Sequence, residues 1–149
     1  MSNKHLKTLF AVAVFLLASS SFAENFQVKM LNSGAEGVMV FEPSVLKISQ
    51  GDSVTFKATN PGHNSASISG MIPEGAEAWS GGMSQDITVN FDQEGVYVYQ
   101  CTPHLMMAMV GVIQVGSGPN LEAIKAKAVG TKTRFMMAND RLDVYLSGL

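Results

Sequence analysis

The sequence predicts an all-β sandwich followed by two α-helices, and three observations carry that expectation. Short apolar or alternating runs recur between clusters of Gly, Pro and Asn from Phe26 to Val115, the mark of a sheet-on-sheet fold. After Pro119 the apolar period changes from that of strands to that of helices. Between the last two expected strands lies Tyr99-Gln100-Cys101-Thr102-Pro103-His104-Leu105-Met106-Met107-Ala108-Met109, which holds the single cysteine of the chain.

The elements follow in order. Phe26 to Leu31 alternates and predicts a strand, and Asn32 to Gly37 predicts a turn. Val38 to Phe41 is short and apolar, Glu42-Pro43 interrupts it, and Val45 to Ile48 resumes. Val54, Phe56 and Ala58 alternate with Thr55, Lys57 and Thr59, as in a half-buried strand. Asn60-Pro61-Gly62 turns into His63-Asn64. Ile87, Val89 and Phe91 alternate with polar residues, Val96 to Cys101 is a strand, and Val110 to Val115 is the last one. Asn120 is the expected cap of a first helix with Glu122 in its opening turn, and Gly130 its expected end. Phe135, Ala138, Leu142, Tyr145 and Leu146 share one face of a second helix, expected to pack on the sheet.

The first residues read as an export signal. Lys4, His5 and Lys7 precede an apolar run from Leu9 to Ala18, and Ser21-Phe22-Ala23 has the small residues that signal peptidase needs. The run is too short to span a bilayer comfortably. Residues 1–23 are therefore expected to be a cleaved signal peptide, and 24–149 a soluble periplasmic domain with no membrane span. That domain carries eight Lys and Arg against twelve Asp and Glu, a balance that argues against a nucleic-acid partner.

Export sharpens the question of the lone cysteine. It cannot pair within its own chain, and an unprotected thiol in an oxidising compartment is open to oxidation. Metal ligation resolves this by tying up the thiolate. One thiolate, one imidazole from the same loop, a second imidazole from His63 and a nearby thioether make the donor set of a type 1 copper centre, with two His and one Cys in a plane and a weak axial Met. Met106, Met107 and Met109 are all within reach of the axial position. Met109 is preferred because it sits where the loop re-enters the sheet, and Met107 is the alternative.

Several runs resemble the pseudoazurins, blue-copper members of the cupredoxin family. They include Met30-Leu31-Asn32, Gly34-Ala35-Glu36-Gly37, Met39-Val40-Phe41-Glu42-Pro43, Gly62-His63-Asn64, Gly70 to Glu77, Cys101-Thr102-Pro103-His104 and Met107-Ala108-Met109-Val110-Gly111. The resemblance covers essentially all of residues 24–149. It implies a Greek-key cupredoxin (plastocyanin-like) sandwich with two C-terminal helices, and one copper ion held by His63, Cys101, His104 and Met109. It implies that Asn64 ties the two ligand loops together and gives its N–H to the Cys101 sulfur, and that Met39 packs near the exposed histidine ligand.

The function implied is single-electron transport by a monomeric carrier. Its partners would be redox proteins such as a copper nitrite reductase or a cytochrome. An enzyme is not expected: a copper oxidase or reductase needs an open coordination position, and the only histidine left over is His5. Copper storage is the third reading, suggested by the ten methionines, but a closed four-ligand site should hold its metal. The lysines that relatives carry before the next strand are missing from Ala78 to Gln85. An apolar rim of Met39, Leu105, Met106 and Trp79 is therefore expected around His104, with a basic patch of Lys29, Lys47 and Lys57 as the alternative.

Overall fold

The computed structural model describes residues 22–149, so the expected signal peptide lies outside the described residues except for its last two. Eight strands follow: β1 (Asn25–Gly34), β2 (Gly37–Glu42), β3 (Val45–Ile48), β4 (Ser53–Lys57), β5 (Ala66–Ser67), β6 (Ile87–Asn90), β7 (Gly95–Gln100) and β8 (Val110–Val115). Two helices close the chain, α1 (Leu121–Lys132) and α2 (Arg141–Ser147). The strands form two four-stranded sheets, ordered β2-β1-β4-β6 and β3-β8-β7-β5. Each sheet is mixed: β1 runs parallel to β4 and β3 parallel to β8, and the other pairs are antiparallel.

Alternation explains the first sheet. Val28 and Met30 of β1 point inward with Val54 and Phe56 of β4, while Gln27, Lys29 and their neighbours face out. The second sheet has no polar face. In β7, Tyr97 and Tyr99 pack toward the first sheet, and Val96 and Val98 pack under the helices. In β8, Ile113 and Val115 take the first side, and Val110 and Val112 the second. Covering both faces lets these central strands be largely apolar, with Gln100 and Gln114 as the exceptions. Gly111 is required there, because a Cβ would lie 2.3 Å from the Tyr99 ring.

The helical layer differs from expectation at three points. Asn120 precedes α1 but does not cap it: its Oδ1 accepts from the Val96 N–H (2.7 Å) and its Nδ2 donates to the Val96 carbonyl (3.1 Å). Gly130 does not end α1, which continues to Lys132. Phe135 and Ala138 precede α2 instead of lying in it, yet both pack with Leu142, Tyr145 and Leu146 against the second sheet.

Candidate metal centre

At one end of the sandwich the loop after β7 closes on itself. The Cys101 N–H donates to the Met109 carbonyl (2.9 Å), which zips the base of the loop as in a hairpin. Inside it, His104 N–H reaches the Cys101 carbonyl (3.2 Å), and the N–H groups of Met107 and Met109 both reach the His104 carbonyl (2.9 and 3.2 Å). Leu105–Met107 form one 3₁₀ turn, and Ala108 leaves it in the left-handed region at φ 54°. Leu105 is buried under the helical layer and pins the loop from below.

His63 arrives from the loop between β4 and β5 and is completely buried. Its Nε2 lies 2.7 Å from Asn32 Oδ1, near the outer end of β1. An amide oxygen accepts, so Nε2 carries the proton and Nδ1 is left with a free lone pair. That Nδ1 faces His104 Nδ1 at 3.1 Å and Cys101 Sγ at 3.6 Å, and the remaining side, Cys101 Sγ to His104 Nδ1, is 3.4 Å. The centre of a triangle with those sides lies about 2 Å from each corner, which matches the length of a metal–imidazole bond and is slightly short for a metal–thiolate one. The three side chains thus fit a single first-row metal ion, and no carboxylate belongs to the cluster among the described residues.

Electrostatics favour a metal over a proton. Burial holds His63 below its ordinary range, and the neighbouring His104 adds to the effect. Burial pushes the Cys101 thiol up, while the nearby backbone N–H groups of Asn64 and His104 oppose that shift. The same two donors would carry the negative charge of a metal-bound thiolate. Among the candidate thioethers, Met109 is fully buried in the cluster that also contains Cys101, whereas Met106 is 56% exposed and Met107 half-buried.

Asn64 joins the two loops as expected. Its Oδ1 accepts from the Thr102 N–H (2.8 Å), and its Nδ2 donates to Thr102 Oγ1 (3.1 Å) and to the Gly81 carbonyl (3.2 Å). The expected apolar rim is only partly there. Trp79 stacks on Phe56, donates from Nε1 to Ser65 Oγ and is 9% exposed, and Leu105 is 3% exposed, so both belong to the core. Met39 is half-buried, while Met106, Met83 and Val38 are exposed. Met83 borders the His63 loop, since Ser84 donates its N–H to the His63 carbonyl. The alternative basic patch is divided: Lys29 and Lys57 are neighbours on the first sheet, where Lys57 pairs with Asp86, and Lys47 lies on the second.

No local pattern marks Asn32 as the partner of His63, because only the pairing of β1 with the rest of its sheet brings it there. Nor does any mark Arg141, whose guanidinium spans carbonyls of the metal loop and of the β1–β2 hairpin.

Residues 28–116 match the family model described as copper binding proteins of the plastocyanin/azurin family. The chain is similar to a putative pseudoazurin of Rhizobium leguminosarum bv. viciae, at 44% identity over 136 residues, covering 91% of this chain and 86% of that one. It is 45% identical to a pseudoazurin of Methylorubrum extorquens over 117 residues, covering 78% and 77%. The crystal structure of pseudoazurin from Methylobacterium extorquens AM1 superposes with a TM-score of 0.74 at 40% identity, covering 83% of this chain and 98% of that one.

Proposed function

The chain belongs to the plastocyanin/azurin family of copper-binding proteins, alongside the pseudoazurins, and we propose that it is a soluble periplasmic carrier of single electrons with one type 1 copper held by His63, Cys101, His104 and Met109. The observation that carries this reading is the triangle of two imidazole nitrogens and one sulfur about a common centre. Bound there, copper supplies reversible one-electron chemistry between Cu(I) and Cu(II). The protein's part is to keep one donor geometry for both states. The loop hydrogen bonds hold Cys101, His104 and Met109 in place, and Asn32 holds His63.

The two histidines divide the work. His63 is sealed inside, while His104 is only partly buried and gives the electron its exit. A copper ion held by the three donors and a thioether would have no open position for a substrate, which favours transport over catalysis. The partners we assign are redox proteins, such as a copper nitrite reductase or a cytochrome, meeting the exposed apolar side chains near His104. Among the described residues no helix is long and apolar enough to cross a membrane. A domain boundary at Glu24 is supported by its backbone. Its N–H donates to Asp52 Oδ1 (2.8 Å) and its carbonyl accepts from Ser53. Cleavage after Ala23 would turn that amide into an ammonium beside the carboxylate.

Protein recovered from periplasm should begin at Glu24 by intact mass, contain one copper per chain, and be blue when oxidised and colourless when reduced. Cys101→Ser should abolish the colour, and a blue variant would defeat the site. Met109→Gln should keep the colour and lower the reduction potential. A shift in Met107→Gln with none in Met109→Gln would reassign the axial donor. Electron transfer through an apolar face should slow only weakly across a salt series, whereas a charge-steered encounter slows steeply.

A further inference from the structure

Arg141 opens α2, far along the chain from the metal loop, yet its guanidinium faces that loop. Nη1 donates to the carbonyls of Ala108 and Met39, both at 3.0 Å, and lies 3.4 Å from the Met107 carbonyl. Nη2 lies 3.3 Å from the Val38 carbonyl. Among the described residues it forms no ion pair, and its direct partners are backbone carbonyls.

Two of those carbonyls belong to residues in unusual backbone. Met39 and Ala108 are non-glycine residues at φ 50° and 54°, a region that L side chains adopt only when the surroundings hold them there. They flank the metal centre. Met39 packs against the cluster that contains Cys101 and Met109, and Ala108 immediately precedes Met109. The Ala108 carbonyl also accepts from the Val110 N–H at 2.9 Å. Met109 therefore sits inside a turn whose carbonyl is held at once by the next strand and by Arg141. One helical turn on, Tyr145 donates to Glu36 Oε2 (2.6 Å) and fixes the tip of the β1–β2 hairpin from the same helix face.

We propose that Arg141 is a positioning residue of the metal centre: by clasping the Ala108 and Met39 carbonyls it holds both left-handed residues and so sets where the Met109 thioether stands. The proposal rests on the copper site assigned above. A guanidinium suits this task because its planar fork presents several donors in fixed directions, which a lysine ammonium does not.

The test uses Arg141→Lys and Arg141→Gln in the full domain, with far-UV circular dichroism to confirm folding. Lysine keeps the charge and loses the fork, so a pure charge effect would spare Arg141→Lys. In copper-free protein, amide hydrogen exchange at Met109 and Val110 should rise about tenfold in both variants, the loss expected when a charge-assisted hydrogen bond is removed. In copper-loaded protein, both should keep one copper per chain while the Cu(II) electron-spin-resonance spectrum and the reduction potential change. Unchanged exchange in both variants would overturn the clasp, and so would faster exchange with an unaltered spectrum and potential. The exchange arm needs no metal. Failure of the copper reading would instead show as wild-type protein that stays colourless with copper.

Discussion

His63 and the Cys101–Met109 segment meet at one point, but they are held there by different means. The segment is closed largely by its own backbone, with N–H groups of Cys101, His104, Met107 and Met109 all bonded inside it. The His63 loop places its histidine through contacts outside itself: Asn32 on the outer nitrogen of the ring, and a bridge from the neighbouring Asn64 across to Thr102. A self-closed loop keeps its shape wherever it is carried. A single imprinted histidine is only as well placed as the strands and side chains around it. The second arrangement is the more vulnerable, and its weak points are Asn64 and Asn32.

The largest effect should come from cutting the bridge between the two. Asn64→Leu removes three hydrogen bonds from a side chain that is 5% exposed, and it leaves the Thr102 N–H and the Gly81 carbonyl without their partner. We expect a loss of roughly 2–4 kcal/mol in urea unfolding of the copper-free protein. An unfolding midpoint equal to wild type would mean that the loops are joined by packing alone.

Asn32→Leu should act on the metal and less on the fold. It frees the outer nitrogen of His63 to change tautomer, and copper affinity should fall about 10–100-fold in a competition titration. Unchanged affinity would show that burial alone orients the ring. The smallest effect is expected from Thr102→Val. It removes one acceptor from the bridge at an exposed position but keeps the Thr102 N–H bond to Asn64, so stability should change by about 1 kcal/mol or less. A loss as large as that of Asn64→Leu would place the bridge's strength in the hydroxyl instead of the backbone.

The contrast also explains what could be read before the fold was known. Cys101, His104 and Met109 could be proposed as donors because their chemistry is rare and their spacing local. His63 could be proposed from its place in a polar turn between Gly62 and Asn64, at the exit of a strand. The strands β1, β4 and β6 announced themselves by alternation, and β7 by its run of valine and tyrosine. What stayed hidden was decided by contacts distant in sequence. Trp79 and Leu105 lie in segments between strands and were expected at the surface, but Trp79 finds an aromatic stack and an acceptor in Ser65, and Leu105 finds the helical layer. Asn120 has the chemistry of a helix cap, yet it serves the Val96 backbone instead. Asn32 and Arg141 carry no local signal for their roles.

The crowding of donors into the Cys101–Met109 segment has a consequence for the unfolded chain. Thiolate, imidazole and thioether stay close together there even when no sandwich exists, because only a short loop separates them. An unfolded polypeptide therefore retains a partial grip on the metal, and the closing of the sheets adds only His63. A ligand that binds both states stabilises the folded one by less than its affinity for that state alone would give. The thermal midpoint of this domain should accordingly rise less with added copper than the tightness of the finished site implies.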